Sequence, residues 1–154
     1  MSDLIPSKAD WEAPSDRDGK HAFEQFYGKS TLQAEALFKD NITMRSSDLE
    51  FMARKPFIFY FKALLIFFRK AEFDLMMSSG ADTASCILSV VRSKLNSSPE
   101  VILEIEDDIT PTLSSISSSQ DSLGANPRIY GDFNEQASQL LSQIRHRARS
   151  IGSE

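Results

Sequence analysis

Apolar residues recur along most of the chain at three- and four-residue spacing, the period of a helix with one buried face. No segment alternates with the two-residue period of a half-buried strand. The densest stretch is residues 56–68, Pro-Phe-Ile-Phe-Tyr-Phe-Lys-Ala-Leu-Leu-Ile-Phe-Phe, which is apolar on almost every side. A bilayer span needs about 20 predominantly apolar residues. This run is shorter, holds Lys62 in its middle and lies between Arg54-Lys55 and Arg69-Lys70. It therefore predicts the central buried helix of a domain, not a membrane anchor. Pro56 suits its first turn, where a missing N–H leaves no bond unmade. The helix is expected to stop at Met76 or Met77, ahead of Ser78-Ser-Gly80, because glycine suits the left-handed residue after a helix end.

The flanking segments predict further helices from their caps and spacing. Ser30 and Gln33 form a capping box for a helix whose inner face is Leu32, Ala36 and Leu37 and whose end falls near Asp40-Asn41. A second box, Ser47-x-x-Glu50, is expected to open a short turn through Leu49, Phe51 and Met52. Asp82 or Thr83 can cap a helix with Ile87, Val90, Val91 and Leu95 on one face, and Asn96-Ser-Ser-Pro99 ends it. From Pro99 onward, Ile102, Ile105, Ile109, Leu113 and Ile116 keep the helical period across Thr110-Pro111, predicting a kink at Pro111 or two helices meeting there. The serine-rich residues 113–122 keep one apolar face through Leu113, Ile116 and Leu123, which favours helix over linker. After the loop Gly124-Ala-Asn-Pro127, Asp132-x-x-Glu135 caps a last amphipathic helix with Phe133, Ala137, Leu140, Leu141, Ile144 and Ala148 inward and basic residues at its end.

The fold class that follows is all-α, a single-domain irregular bundle of about five to seven helices around the central aromatic-rich helix. The domain is expected over residues 21–150, after a flexible arm, 1–20, whose one large apolar anchor is Trp11, and before a short tail, 151–154. At 154 residues, 41% hydrophobic and 25% charged, the chain can bury one core without staples. Cys86 is the single cysteine, which excludes an internal disulfide and a multi-cysteine zinc site. With no basic-then-apolar leader at the start of the sequence, the cytoplasm is the expected compartment. The formal charge of -5 and pI near 5.1 argue against a nucleic-acid binder and suit a basic protein partner.

Three stretches carry a family resemblance. These are Tyr27-Gly-Lys-Ser-Thr-Leu-Gln-Ala-Glu-Ala-Leu-Phe38, then Asp48-Leu-Glu-Phe-Met52 with Phe57-x-x-Tyr60-Phe61, and finally Ile129-Tyr-Gly-Asp132. Their order and spacing resemble a group of small, functionally uncharacterised bacterial proteins, in which an acidic-Leu-x-x-Met segment precedes a Phe-x-x-Tyr helix and a Tyr-Gly-Asp turn opens the last helix. The resemblance implies a shared helical fold and supplies no reactive centre. By analogy with other small proteins of this kind, it suggests an immunity protein against a bacterial toxin.

The candidate site is an acidic stripe. Glu100, Glu104, Asp107 and Asp108 stand at i, i+4, i+7 and i+8, which on one helix puts the carboxylates on one face, with Glu106 nearby and Ile102, Ile105 and Ile109 turned inward. No lysine or arginine lies between Glu100 and Arg128 along the chain. Such a stripe is either a solvated face helped by carboxylates near a helix start, or a docking surface for a basic cleft.

Other chemistry finds less support in the sequence. Glu104, Asp107 and Asp108 lack the second motif that a metal site would need, and the pair His21-x-x-Glu24 is one ligand pair where two are required. Neither a metal nor any other cofactor is therefore expected. Cys86 lies among Ala84, Ile87 and Leu88 and reads as a buried structural thiol. Hydrolase-elbow and P-loop patterns are absent, since Gly28-Lys-Ser30 lacks the preceding glycine. The tail Arg145-His-Arg-Ala-Arg149 could meet phosphates but has no interleaved aromatics and also complements a helix end. The sequence thus predicts a non-enzymatic protein-binding domain, an immunity protein that occludes a basic toxin surface with its acidic helix. The alternative is a homo-oligomer, such as a homodimer, associating through the aromatic helix.

Overall fold

The computed structural model describes residues 4–71, 73 and 79–152, and every regular element in them is helical. Where the sequence suggests one domain over residues 21–150, packing groups the chain into two compact units, Met1–Phe67 and Phe68–Glu154. The boundary falls in the last turn of the aromatic helix.

In the first unit a 3-10 turn, Ala9–Trp11, precedes α1 (Arg17–Phe26), α2 (Thr31–Asp40), α3 (Ile42–Leu49) and α4 (Arg54–Lys70). The segment expected as an arm therefore contains ordered turns. Trp11 is 2% exposed and meets Phe23 edge-on at 5.4 Å, which fixes the chain ahead of α1. Asp16 caps α1 by accepting from the Gly19 N–H at 2.8 Å. A β-carbon at Gly19 would lie 2.5 Å from that same carboxylate oxygen, so the bare backbone is what lets the cap close.

The Ser30 capping box forms in both directions, with Gln33 N–H donating to Ser30 Oγ at 3.2 Å and Ser30 N–H donating to Gln33 Oε1 at 2.8 Å. The inner face of α2 differs from the expected row. Ala34 and Phe38 are buried, whereas Leu32 is 70% exposed. An aromatic ring buries more area than a leucine, and Phe38 packs on Phe26 at 5.6 Å, so the ring sets the helix rotation. The Ser47 box is absent. Asn41 starts α3 earlier by accepting from the Met44 N–H at 3.2 Å, which leaves Ser47 inside the helix and Glu50 at its end.

Helix α4 is described to Lys70, and the end expected at Met76 or Met77 lies outside the described residues. Phe57, Tyr60, Phe61, Leu64 and Leu65 are fully buried, each contributing about 1.5–3 kcal/mol of apolar transfer. Tyr60 meets Phe26 at 5.0 Å, and its hydroxyl reaches the carbonyls of Phe26 and Lys29 at 2.7 and 2.9 Å.

The second unit contains α5 (Ser79–Ser97), α6 (Pro99–Glu104), α7 (Glu106–Ser117), α8 (Pro127–Tyr130) and α9 (Phe133–Gly152). Gly80, expected to end the aromatic helix, instead lies in α5, as do Asp82 and Thr83, expected as its cap. A β-carbon at Gly80 would fall 2.8 Å from Phe73 Cβ and 3.0 Å from Leu123 Cδ2, so this glycine makes room for two side chains. Further along, Ile87, Val90, Val91 and Leu95 are buried as their spacing predicts.

The break expected at Pro111 occurs six residues earlier, at Ile105, whose backbone leaves the helical region at φ -115° and ψ 25°. Starting a new helix there gives Glu106, Asp107 and Asp108 its positive end and keeps Pro111 within its second turn. The apolar row survives the break, since Ile102, Ile105, Ile109, Leu113 and Ile116 are all buried. The serine-rich stretch is helical to Ser117 and then turns through Gly124, which has φ 63°.

One side chain gathers the path into the last helix. Gln120 Nε2 donates to the carbonyls of Ala125 and Gly131 at 2.8 and 3.1 Å, and its Oε1 accepts from the Phe133 N–H at 2.7 Å. Asp132 caps α9 by accepting from the Glu135 N–H at 3.1 Å. Phe133, Ala137, Leu140 and Ile144 are buried, and α9 packs along α7, α5 and α6.

Candidate functional site

The four carboxylates of the expected stripe are split between two helices. Glu100 is in the first turn of α6 and Glu104 is its last residue, while Asp107 and Asp108 are in the first turn of α7. The break at Ile105 means that no continuous helical face carries all four. Glu100, Glu104 and Asp107 are exposed and Asp108 is half-buried, above the buried Ile102, Ile105 and Ile109. The result is an acidic edge at the α6–α7 junction.

The chain's C-terminal helix brings positive charge to one end of this edge. Glu100 lines a groove of about 830 Å³ with Pro99 and Leu103 on one wall and Gln143, His146 and Arg147 of α9 on the other. The lack of basic residues near the stripe thus holds along the sequence and not in space. A second hollow of about 250 Å³ is lined by Ser142, Arg145, His146 and Arg149. Ser142 and His146 line both hollows.

Sequence reasoning missed a charged cluster in the first unit. Asp48, at 7% side-chain exposure, lies with Oδ1 at 3.1 Å from His21 Nδ1 and Oδ2 at 3.2 Å from Arg45 Nε. The arginine contact is a charge pair without the alignment of a hydrogen bond. Burial raises the Asp48 carboxyl above its ordinary value, against the lowering pull of the His21 hydrogen bond and the Arg45 charge. While Asp48 is ionised it can only accept, so His21 Nδ1 carries the shared proton. The available signal was Arg45 and Asp48 at i, i+3 on one helix. It points to a pair, whereas the third member arrives from α1, 27 positions away.

The remaining candidates are spread through the fold. Cys86, expected to be buried, is half-buried in α5. Among the described residues no three His, Cys, Asp or Glu side chains are grouped to hold a metal, and no helix is long and apolar enough to cross a membrane. In α4, the alternative face for a homo-oligomer, the rings of Phe57, Tyr60 and Phe61 are turned inside, and Ile66 is 44% exposed. No family model, curated protein or solved structure matches the chain. The class that its fold defines is an all-α, multi-helix protein.

Proposed function

We propose that this chain is a non-enzymatic protein-binding domain that presents the acidic edge of α6 and α7 to a basic partner. In its most specific form the proposal is an immunity protein that neutralises a bacterial toxin by covering a basic functional surface. One observation carries it: Glu100, Glu104 and Asp107 are exposed on helix ends whose apolar side chains are buried beneath them. Like charges on a firm base raise the encounter rate with a basic surface and select against acidic ones.

Affinity purification of the tagged chain from its native host at moderate salt, read by mass spectrometry, tests the proposal. The expected result is one near-stoichiometric basic protein. Glu104→Lys combined with Asp107→Lys should then lower its binding at least about tenfold, the scale of losing one or two well-placed charge pairs, with helical content retained. Unchanged binding by that variant would remove the acidic edge from the proposal. Recovery of the chain alone as a defined oligomer, with a mass sensitive to Ile66→Glu, would move the interface to α4.

A further inference from the structure

The groove between the α5–α6 corner and α9, taken with the adjoining hollow on α9, is a second surface with an excess of positive charge. Arg145, Arg147 and Arg149 form no ion pair with a carboxylate among the described residues, although acidic residues outnumber basic ones by 22 to 17. Arg145 directs its Nε to the Leu141 carbonyl of its own helix at 3.3 Å. Arg147 lines the groove itself, while Arg145 and Arg149 line the adjoining hollow that shares Ser142 and His146 with it, so the positive charge that attracts carboxylates lies along the α9 wall of the two together. Between the helices the lining changes to apolar Pro99 and Leu103, with Ile151 61% exposed at the end of α9. Asn96 and Gln143 add side-chain amides that can bond a peptide backbone from either wall.

We infer that this groove and the hollow beside it receive an acidic peptide segment of a partner protein, with an apolar side chain seated between Leu103 and Ile151 and carboxylates on Arg147 of the groove and on Arg145 and Arg149 of the hollow. The groove's volume of about 830 Å³ accommodates a few residues of extended chain. A phosphodiester backbone fits it less well, because the groove offers no Phe, Tyr or Trp ring to stack a base and includes Glu100, which repels phosphate. That same carboxylate gives the groove a polarity, holding the acidic part of the peptide toward the arginines.

Fluorescence anisotropy of the full chain with a short labelled peptide, a central leucine pair flanked by glutamate and aspartate, tests the inference. Binding should be saturable and weakened by salt. Arg147→Glu should weaken it about tenfold and Ile151→Ser several-fold, whereas Arg128→Glu, an exposed cation outside the groove, should leave it unchanged. Circular dichroism should be the same for all three variants. Equal binding of a peptide with serines for the leucines, or of a single-stranded oligonucleotide, would overturn the inference in favour of a general anion surface. Loss of peptide binding because the chain occupies its own groove, seen as a mass that doubles with concentration and halves with Arg147→Glu, would overturn it in favour of a second copy. None of these variants alters Glu104 or Asp107, so failure here leaves the acidic-edge proposal standing.

Discussion

The Tyr60 hydroxyl lies 2.7 Å from the Phe26 carbonyl, so a side chain from α4 closes the C-terminal end of α1. The last carbonyls of any helix lack partners within it, and here one phenol serves both Phe26 and Lys29. Its single proton is given to one carbonyl or shared between the two.

Replacing that residue separates the ring from the hydroxyl. Tyr60→Phe keeps the packing on Phe26 and removes the phenol donor from the Lys29 carbonyl, while the Phe26 carbonyl keeps the Lys29 N–H at 3.0 Å, a loss of about 1–2 kcal/mol. The thermal midpoint should fall by a few degrees with little change in near-ultraviolet ellipticity. Burial also pushes the phenol up to about 12 from its ordinary 10.0. A raised folded value means that the stabilisation is complete below about pH 10 and lost as pH climbs through about 12. Tyrosinate absorbance should therefore show a late-titrating component that coincides with unfolding and is missing from Tyr60→Phe. A folded wild type without this late component, or one that keeps it in Tyr60→Phe, would refute this.

Gln120 offers a sharper substitution. Its amide nitrogen faces the Ala125 and Gly131 carbonyls, and its oxygen faces the Phe133 N–H. Gln120→Glu keeps the acceptor but sets an anionic oxygen against two carbonyls, whereas Gln120→Ala removes the polar group altogether. The glutamate variant should be the less stable of the two, by about 1–2 kcal/mol in urea denaturation, because an opposed charge costs more than an absent bond. Amide exchange at Phe133 should quicken in Gln120→Ala. If both variants unfold at the same urea concentration, Gln120 does not hold this turn.

The Asp48 cluster predicts a pH response of definite sign. Because burial raises this carboxyl, its favourable contribution is present below the ordinary value of 3.8 and is lost as pH rises through the higher folded value. His21 and Arg45 pull against the shift and Asp18 adds to it, so the change is partial. Denaturation midpoints of the wild type and Asp48→Asn, followed from neutral to acid pH, should diverge in favour of the wild type as acid is added. Asp48→Ala should be less stable than the wild type at neutral pH by about 2–3 kcal/mol, since Arg45, at 11% side-chain exposure, then keeps a largely buried charge without its counter-ion. Parallel pH profiles for the wild type and Asp48→Asn would rule out the raised carboxyl.

Local chemistry was the legible part of this sequence. The Ser30 box, the Asp132 cap and the buried row from Ile102 to Ile116 follow from residues within a turn or two of each other, and each is where its spacing puts it. What sequence reasoning missed depends on partners far along the chain. Leu32 and Phe38 compete for one inner face, and the winner is settled by Phe26 on another helix. Gly80 reads as a helix stop because glycine commonly is one, yet its place is set by Phe73 and Leu123. The acidic residues were legible as a group, but their shared face was not, because an unmarked isoleucine ends one helix and Pro111, the marked breaker, does not. The groove opposite Glu100 needed α9 to be folded back beside α6, which no local pattern encodes.

The break at Ile105 also sets how freely this surface can be redesigned. Glu106, Asp107 and Asp108 occupy the first turn of α7, where each negative charge favours the helix by about 0.3–1 kcal/mol. Glu104 ends α6, where a negative charge is disfavoured and a lysine would be welcome. Neighbouring carboxylates therefore sit on helix ends of opposite sign: the C-terminal end of α6 gives no support to a negative charge at position 104, whereas the start of α7 supports those at positions 106–108 whatever they bind. In a library of charge variants across this edge, reversals at 106–108 should be depleted, a pattern imposed by the start of α7 before any partner exerts selection.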